Sequence, residues 1–146
     1  MKHLGIAVIL FLFVALAGCG NSSSNSINGN WTATLNSENG TQALVFTATL
    51  MESGSSLNVT NLSFSTSSSC FALGTTATGA FTATGTSGGV TTGTFQLTVQ
   101  SGTGNSNGTN QLTLEGTLDN NSITGNWTLT GTGAGCTGSG TFTMTD

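Results

Sequence analysis

The chain has 146 residues, of which only 4% are charged, and five acids against one Lys give a formal net charge of −4. The single Lys is Lys2 and the single His is His3. A chain without clustered cations has no electrostatic footprint for nucleic acid and no side chains that clamp phosphate. The composition therefore excludes nucleic acid as a partner, and the length allows one domain.

The first 18 residues have the layout of an export signal. Lys2 and His3 form a short positive start, and residues 4–16 form an almost wholly apolar run. This run is too short to span the roughly 30 Å hydrocarbon core of a bilayer, but it suits the apolar region of a signal peptide. The sequence therefore predicts a signal peptide over residues 1–18.

The apolar run ends in Leu16-Ala17-Gly18-Cys19, which resembles the lipobox of bacterial lipoproteins. The resemblance implies a diacylglycerol on the Cys19 thiol and cleavage just before it. Two or three acyl chains then anchor the protein stably, since each buried methylene contributes about 0.8 kcal/mol. In that family, Asp directly after the lipidated Cys favours retention in the inner membrane. Here that residue is Gly20, so the resemblance implies sorting to the outer membrane. Residues 19–26 are expected to be the lipidated Cys and a flexible polar tether.

From residue 27 onward, apolar residues recur at every second position in short runs separated by Gly, Asn and Ser clusters. This periodicity is typical of half-buried β-strands, and there are eight such runs. In the third run the phase changes, which predicts a β-bulge near Thr60 and Asn61. The residues predicted to face inward are Ile27, Gly29, Trp31, Ala33 and Leu35; Leu44, Phe46, Ala48 and Leu50; Leu57, Val59, Leu62 and Phe64; Gly79, Phe81 and Ala83; Gly93, Phe95, Leu97 and Val99; Leu112, Leu114, Gly116 and Leu118; Ile123, Gly125, Trp127 and Leu129; and Gly140, Phe142 and Met144.

Eight strands with short, turn-rich connections predict an all-β fold over residues 27–146. We expect an eight-stranded antiparallel up-and-down meander that closes into a small barrel, because closure removes the exposed edge strands. The alternative is an open two-sheet β-sandwich.

One motif, Gly-x-aromatic, occurs five times along the predicted strands. Residues two apart face the same side of a strand, so the Gly leaves room beside a large inward ring and lets the strand bend. We interpret the motif as core packing; the alternative is that the two Trp side chains stack on a ligand. A ligand cavity inside the barrel would be lined by Trp31, Trp127, Phe46, Phe81, Phe95 and Phe142.

The first predicted strand begins with Ile27-Asn-Gly-Asn-Trp31, which is similar to the opening of lipocalin-like and avidin-like barrels. Those families carry Gly-x-Trp on strand one. The resemblance implies an eight-stranded barrel that binds a small, largely apolar ligand in its interior. More broadly, the chain resembles small bacterial lipoproteins with a Gly/Thr-rich β-meander and one Cys pair.

Two cysteines remain for the domain. Cys70 lies between the third and fourth strands, and Cys136 lies between the seventh and eighth. In an up-and-down meander, all odd-to-even connections lie at one end of the barrel, and the cell envelope is oxidising. The topology therefore predicts a Cys70–Cys136 disulfide. The alternatives are free thiols or a metal site, although a zinc site would also need carboxylates because no His follows residue 3.

The residue types needed for catalysis are scarce. Nucleophilic triads need a His base, and none follows residue 3. Glu38, Glu52 and Asp119 fall in predicted turns, Asp146 is the last residue, and Glu115 points outward on the sixth strand. We therefore expect no enzyme activity, no cofactor and no metal. The expected partners are the membrane, through the lipid, and either a small apolar ligand or an envelope protein.

Overall fold

A computed structural model of the chain describes residues 26–65, 69–71, 74–87, 90–102 and 108–146. The predicted signal, the lipobox residues Leu16, Ala17, Gly18 and Cys19, and nearly all of the predicted tether lie outside these residues. The elements in chain order are β1 (Gly29–Ser37), β2 (Gln42–Ser53), β3 (Ser56–Phe64), a 3₁₀ turn (Ser69–Phe71), β4 (Thr76–Ser87), β5 (Val90–Gln100), β6 (Asn110–Asp119), β7 (Ser122–Gly131) and β8 (Gly138–Thr145). Within the described ranges, no helix is long and apolar enough to cross a membrane.

The eight strands form one closed barrel in which each strand pairs with its neighbours in sequence and β8 pairs with β1. All of these pairings are antiparallel. The predicted up-and-down meander is confirmed, and the sheet is closed rather than split into the two sheets of a sandwich.

The inward faces of the strands form a single hydrophobic core. Nearly every predicted inward side chain is buried, including both Trp side chains. On β3, however, Val59, Leu62 and Phe64 are only half-buried, and on β4 Ala83 is exposed. The prediction for Ala83 is wrong because β3 begins at Ser56, opposite Ala80, so β4 has no β3 neighbour at Ala83.

The predicted bulge in β3 is confirmed. Thr47 pairs with Ser63 and Thr49 pairs with Thr60, so two residues of β3 lie opposite one residue of β2. Asn61 takes the left-handed conformation there, with φ 52°, which Asn tolerates better than most residues. The bulge shifts the inward phase from Val59 to Leu62 and bends the strand.

The Gly-x-aromatic motifs pack across strands rather than within one strand. On β7 and β8 the two copies interlock, because Gly125 lies opposite Phe142 and Trp127 lies opposite Gly140. A Cβ on Gly93 would collide with the ring of Phe81 on the adjacent strand. The glycines thus accept the rings of their neighbours, which allows large aromatic side chains in a narrow barrel.

The connections between strands lie alternately at the two ends of the barrel. The disulfide end carries the β1–β2, β3–β4, β5–β6 and β7–β8 connections, and the terminal end carries the other three connections, Ile27 and Asp146. Ile27 is fully buried at the terminal end, so the chain enters the barrel on the side opposite the cysteines.

The pairing between β3 and β4 is the shortest in the barrel. Only Ser56–Ala80 and Leu57–Gly79 are paired, and a hydrogen bond from the Phe81 amide to the Ser55 carbonyl, 3.1 Å long, extends this contact. Toward the disulfide end, no further pair joins the described residues of these two strands. We call this interval, between residues 58–64 of β3 and 76–78 of β4, the seam.

Outward-facing Thr residues line up around the barrel. One row runs across five neighbouring strands, from Thr94 through Thr117, Thr124 and Thr143 to Thr34. Thr is a favourable strand residue and keeps a nearly uncharged surface hydrated, and cross-strand Thr pairs each contribute roughly 0.2–1 kcal/mol. This alignment follows from the register of a closed meander whose outward positions are so often Thr.

Candidate functional site

The two cysteines lie together at the disulfide end. Cys70 and Cys136 form a disulfide, with their Cα atoms 5.7 Å apart. This confirms the pairing that the meander topology predicts. The bond joins the 3₁₀ turn beside the seam to the β7–β8 connection, so it ties together two connections that the sheet itself does not link.

A buried amide joins the same two connections. Asn110, the first residue of β6, is only 1% exposed. Its Nδ2 donates to the carbonyl of Cys70 at 3.0 Å, and its Oδ1 accepts from the Gly133 amide at 3.4 Å. Buried polar groups must be paired to avoid a desolvation cost, so this side chain fixes the position of both connections.

The 3₁₀ turn also packs against the seam through aromatic rings. Phe71 stacks on Phe64 with ring centroids 4.8 Å apart and planes 5° apart, and Phe64 lies 5.4 Å from Phe46. The turn therefore supplies a buried ring where β3 and β4 are not hydrogen-bonded to each other.

Beside the disulfide there is a pocket of about 380 Å³, which we call the mouth pocket. Its apolar wall consists of Leu44, Trp127 and Leu129, each less than a tenth exposed, and its polar rim includes Ser37, Ser69 and Thr137. No charged side chain lines it. Its volume falls in the range of roughly 300–1,000 Å³ typical of small-molecule sites.

Trp127 is held in place at the base of this pocket. Its Nε1 donates to the carbonyl of Asn36 on β1 at 2.9 Å, passing the intervening strand β8. This reach depends on Gly140, where a Cβ would lie 2.9 Å from the indole nitrogen, and on Gly138, where it would lie 3.1 Å from the ring. The indole is 3% exposed, so it presents an edge rather than an open face.

Trp31 occupies a different part of the barrel. Its Nε1 donates to the carbonyl of Ile27 at 2.8 Å, in a buried hydrogen bond near the terminal end. The two indoles donate to carbonyls at opposite ends of β1. Ile27 lies just before this strand, and Asn36 is its second-last residue. The structure therefore does not bring Trp31 and Trp127 into one site.

The four Phe residues named as cavity-lining candidates lie in the core. Phe46, Phe81, Phe95 and Phe142 are each at most 2% exposed, and the rings of Phe95 and Phe142 are 6.3 Å apart. Phe95 also borders a depression of about 300 Å³ on the outer face, next to Gly116. Their role in ligand binding stays a prediction.

Among the described residues, the depression next to Gly116 and two others lie on the outer face, and each includes a strand glycine. The largest, about 550 Å³, lies over Gly140 and contains Glu38, which accepts a hydrogen bond from Ser139 at 2.9 Å. The others include Gly116 and Gly79. They arise where a missing Cβ lets a strand curve, so they are a consequence of barrel geometry.

In the described part of the chain, no three His, Cys, Asp or Glu side chains cluster in a way that could hold a metal ion. Glu115 is exposed on β6. Glu52, Asp119 and Asp146 all lie at the terminal end, each at or next to the end of a strand. This end is therefore the more negative one.

Sequence reasoning missed several residues of the mouth pocket and its surroundings. Leu44 and Leu129 were predicted to face inward, but nothing indicated that they border an opening. Asn110 and Phe71 were not singled out, because neither belongs to a periodic apolar run. The one available signal was the position of both cysteines in odd-to-even connections.

The closed eight-stranded meander is compatible with a lipocalin-like fold. Comparison of the chain with protein-family models, curated proteins and solved structures found no match.

Proposed function

We propose that the protein is a lipid-anchored lipoprotein of the outer membrane whose β-barrel domain has a non-catalytic interaction role. The observation that carries this proposal is the position of the chain entry. Residues 26 and 27 lie at the end of the barrel opposite the disulfide. A lipid on Cys19 would hold the terminal end toward the bilayer and leave the disulfide end, with its mouth pocket, facing away from it.

In this orientation, charge favours a gap between the domain and the membrane. Glu52, Asp119 and Asp146 lie at the terminal end, and no Lys, Arg or His follows residue 3. Anionic lipid attracts cationic segments and repels carboxylates. A seven-residue polar tether reaches about 15 Å, so the domain would stand off the bilayer instead of lying on it.

The non-catalytic part of the proposal rests on residue types. A domain without His, Lys or Arg has no imidazole or amine base and no cationic group to stabilise developing negative charge, so its five carboxylates are the only carboxylate, imidazole or amine groups it could use as general bases. What it offers a partner is a hydroxyl-covered outer face and an uncharged mouth. Both suit binding or spacing at the cell envelope.

The lipid anchor is tested by labelling cells with radioactive palmitate and fractionating their membranes. We expect label on the wild type, and we expect Cys19→Ser to lose the label and leave the membrane fraction. Ser23→Ala, in the tether, is the matched control and should behave as the wild type. Unlabelled wild-type protein, or continued processing in globomycin, would contradict the proposal.

A second candidate function is the binding of a small, uncharged and largely apolar ligand, favoured by the volume and the uncharged lining of the mouth pocket. A neutral fluorescent probe, N-phenyl-1-naphthylamine, should bind saturably to the purified protein. Thr137→Phe, which fills the pocket from its rim, should weaken binding at least tenfold, whereas Thr141→Phe on the outer face should not. Equal binding by both variants would place the probe elsewhere and remove this candidate.

A further inference from the structure

The outer half of β4 has a partner on one side only. β4 continues to Ser87, whereas β3 begins at Ser56, opposite Ala80. Residues 82–87 are paired with β5, but no described residue pairs with their other edge. The Phe81 amide, bonded to Ser55, is the last backbone group that β3 satisfies there. The barrel thus carries a short open strand edge at its terminal end.

This edge lacks the usual protection against pairing with another chain. It reads Thr82-Ala-Thr-Gly-Thr-Ser87, and all six residues are exposed. Natural edge strands are blunted by Lys, other charges, Pro, bulges or a covering loop. Here only a register shift between Ala83 and Gly85, on the β5 side, is present. Within the described residues, nothing pairs with the backbone groups of this segment that face away from β5.

The sector of the barrel around this edge carries no charged side chain. None of the five carboxylates lies between residues 53 and 114, which include all of β3, β4 and β5. Two copies of the chain, each with five carboxylates and no cation after residue 3, would repel each other wherever those carboxylates face each other. Through this sector they meet with neutral Thr, Ala and Gly.

We propose that a second copy of this chain pairs with the open edge, β4 against β4, as an antiparallel extension of both sheets. An antiparallel pairing of one edge with itself is isologous, so a two-fold axis closes the assembly as a dimer. The contact is short, and it rests on the proposed lipid anchor to concentrate copies on one membrane. The two-fold axis reverses one barrel relative to the other, so the two terminal ends, and hence both anchors, meet at the centre of the dimer. The two disulfide ends then point in opposite directions along the membrane, in place of the upright orientation of a single anchored copy.

Photo-crosslinking in cells tests the dimer on the full chain. Thr84→p-benzoylphenylalanine is introduced into one of two differently tagged copies, and Thr117→p-benzoylphenylalanine, on β6, is the matched control. We expect a crosslink to the second tagged copy from position 84 only. Thr82→Lys, which puts a charge beside the edge, should lower the yield at least tenfold. Thr117→Lys, at an equally exposed outward position, should leave it unchanged.

Three results would overturn the dimer: a crosslink from position 84 to the chain's own first 26 residues, a crosslink only to a different protein, or none at all. Far-ultraviolet circular dichroism of the purified Lys variants checks that both barrels are folded. Palmitate labelling of the same samples keeps the two proposals separate. A crosslinked but unlabelled protein would overturn the anchor alone, and a labelled protein without the crosslink would overturn the dimer alone.

Discussion

The β5–β8 side of the barrel and the seam between β3 and β4 close the same sheet by different means. On the first side the ladder is continuous; between β6 and β7, for example, it runs unbroken from Asn110–Gly131 to Asp119–Ser122. Between β3 and β4 only two residue pairs are formed, and none of them lies within the seam. There a stacked ring pair, a buried amide and a disulfide take the place of the ladder.

The difference shows how a barrel with few charges tolerates an incomplete ladder. Backbone hydrogen bonds close the sheet wherever two strands keep one register. At the seam the bulge at Asn61 bends β3, and the 3₁₀ turn in the connection that follows packs on Phe64 of β3. The mouth pocket lies where this connection meets the β7–β8 connection, so the irregular side of the barrel is also the side that offers a site. Closure by a backbone ladder and closure by side chains and a disulfide should respond differently to mutation.

The largest effect should come from removing the disulfide. The bond closes a loop with a sequence separation of 66 residues, and by loop entropy it contributes about 4 kcal/mol. Cys70→Ala combined with Cys136→Ala should lower the free energy of unfolding in urea by that amount, which is a large share of the roughly 5–15 kcal/mol available to a domain.

Hydrogen exchange should locate the loss caused by this double variant. We expect faster exchange in the 3₁₀ turn and the β7–β8 connection than in β6 and β7. The control is the wild type under reducing conditions, which should show the same stability as the double variant. A loss below about 1 kcal/mol would mean that the seam holds without its covalent link.

A smaller loss of stability is expected from adding a methyl group to one glycine on the β5–β8 side of the barrel. A Cβ on Gly125 would collide with the Glu115 carbonyl and lie 2.5 Å from the Gly116 Cα. Because these are backbone atoms of a paired strand, Gly125→Ala should cost about 3 kcal/mol, at the upper end of overpacking. Thermal unfolding at matched protein concentration measures the loss.

Gly85→Ala is the matched control, since the nearest atom to its Cβ would be the Thr92 hydroxyl at 3.5 Å. It lies on β4 beyond the start of β3, and it should be neutral or stabilise by up to about 1 kcal/mol through the unfolded state. Equal losses in the two variants would show that the continuous ladder is no more tightly packed than the open edge.

Most of the fold could be predicted from the sequence because strand periodicity records which face is buried. The alternation in β1, β2 and β5–β8 gave the inward residues, and the phase change in β3 gave the bulge. Ala83 was assigned to the core because alternation reports parity, not whether a neighbouring strand is present. The length of β3 relative to β4 depends on the bulge and on the turn at Gly54, and no local pattern encodes it.

The candidate site was harder to predict because it is built from connections. Ser69 and Thr137 reach the mouth pocket only once the disulfide has placed their segments. Asn110 resembles many other Asn residues in turns until the Cys70 carbonyl comes within 3.0 Å of its amide. Among the six aromatic candidates, only Trp127 lines the mouth pocket, and this depends on glycines of another strand. Long-range packing of this kind leaves no trace in a single sequence.

The smallest effect should be the coupling between two rings at the seam. Phe64 and Phe71 stack at 4.8 Å with nearly parallel planes, whereas Phe95 and Phe142, on the regular side, are 6.3 Å apart and tilted by 52°. Aromatic pairs contribute about 0.5–1.5 kcal/mol beyond the area they bury. A double-mutant cycle with Phe64→Leu and Phe71→Leu should therefore give a coupling of about 1 kcal/mol.

The same cycle with Phe95→Leu and Phe142→Leu is the control, and it should give a smaller coupling, because a more distant ring pair gains less contact energy. Each single Leu variant will also lose core packing, but the cycle cancels that loss and isolates the pairwise energy. If the control coupling equalled or exceeded that of Phe64 and Phe71, ring stacking would not be what closes the seam. The disulfide and Asn110 would then have to hold the 3₁₀ turn in place without it.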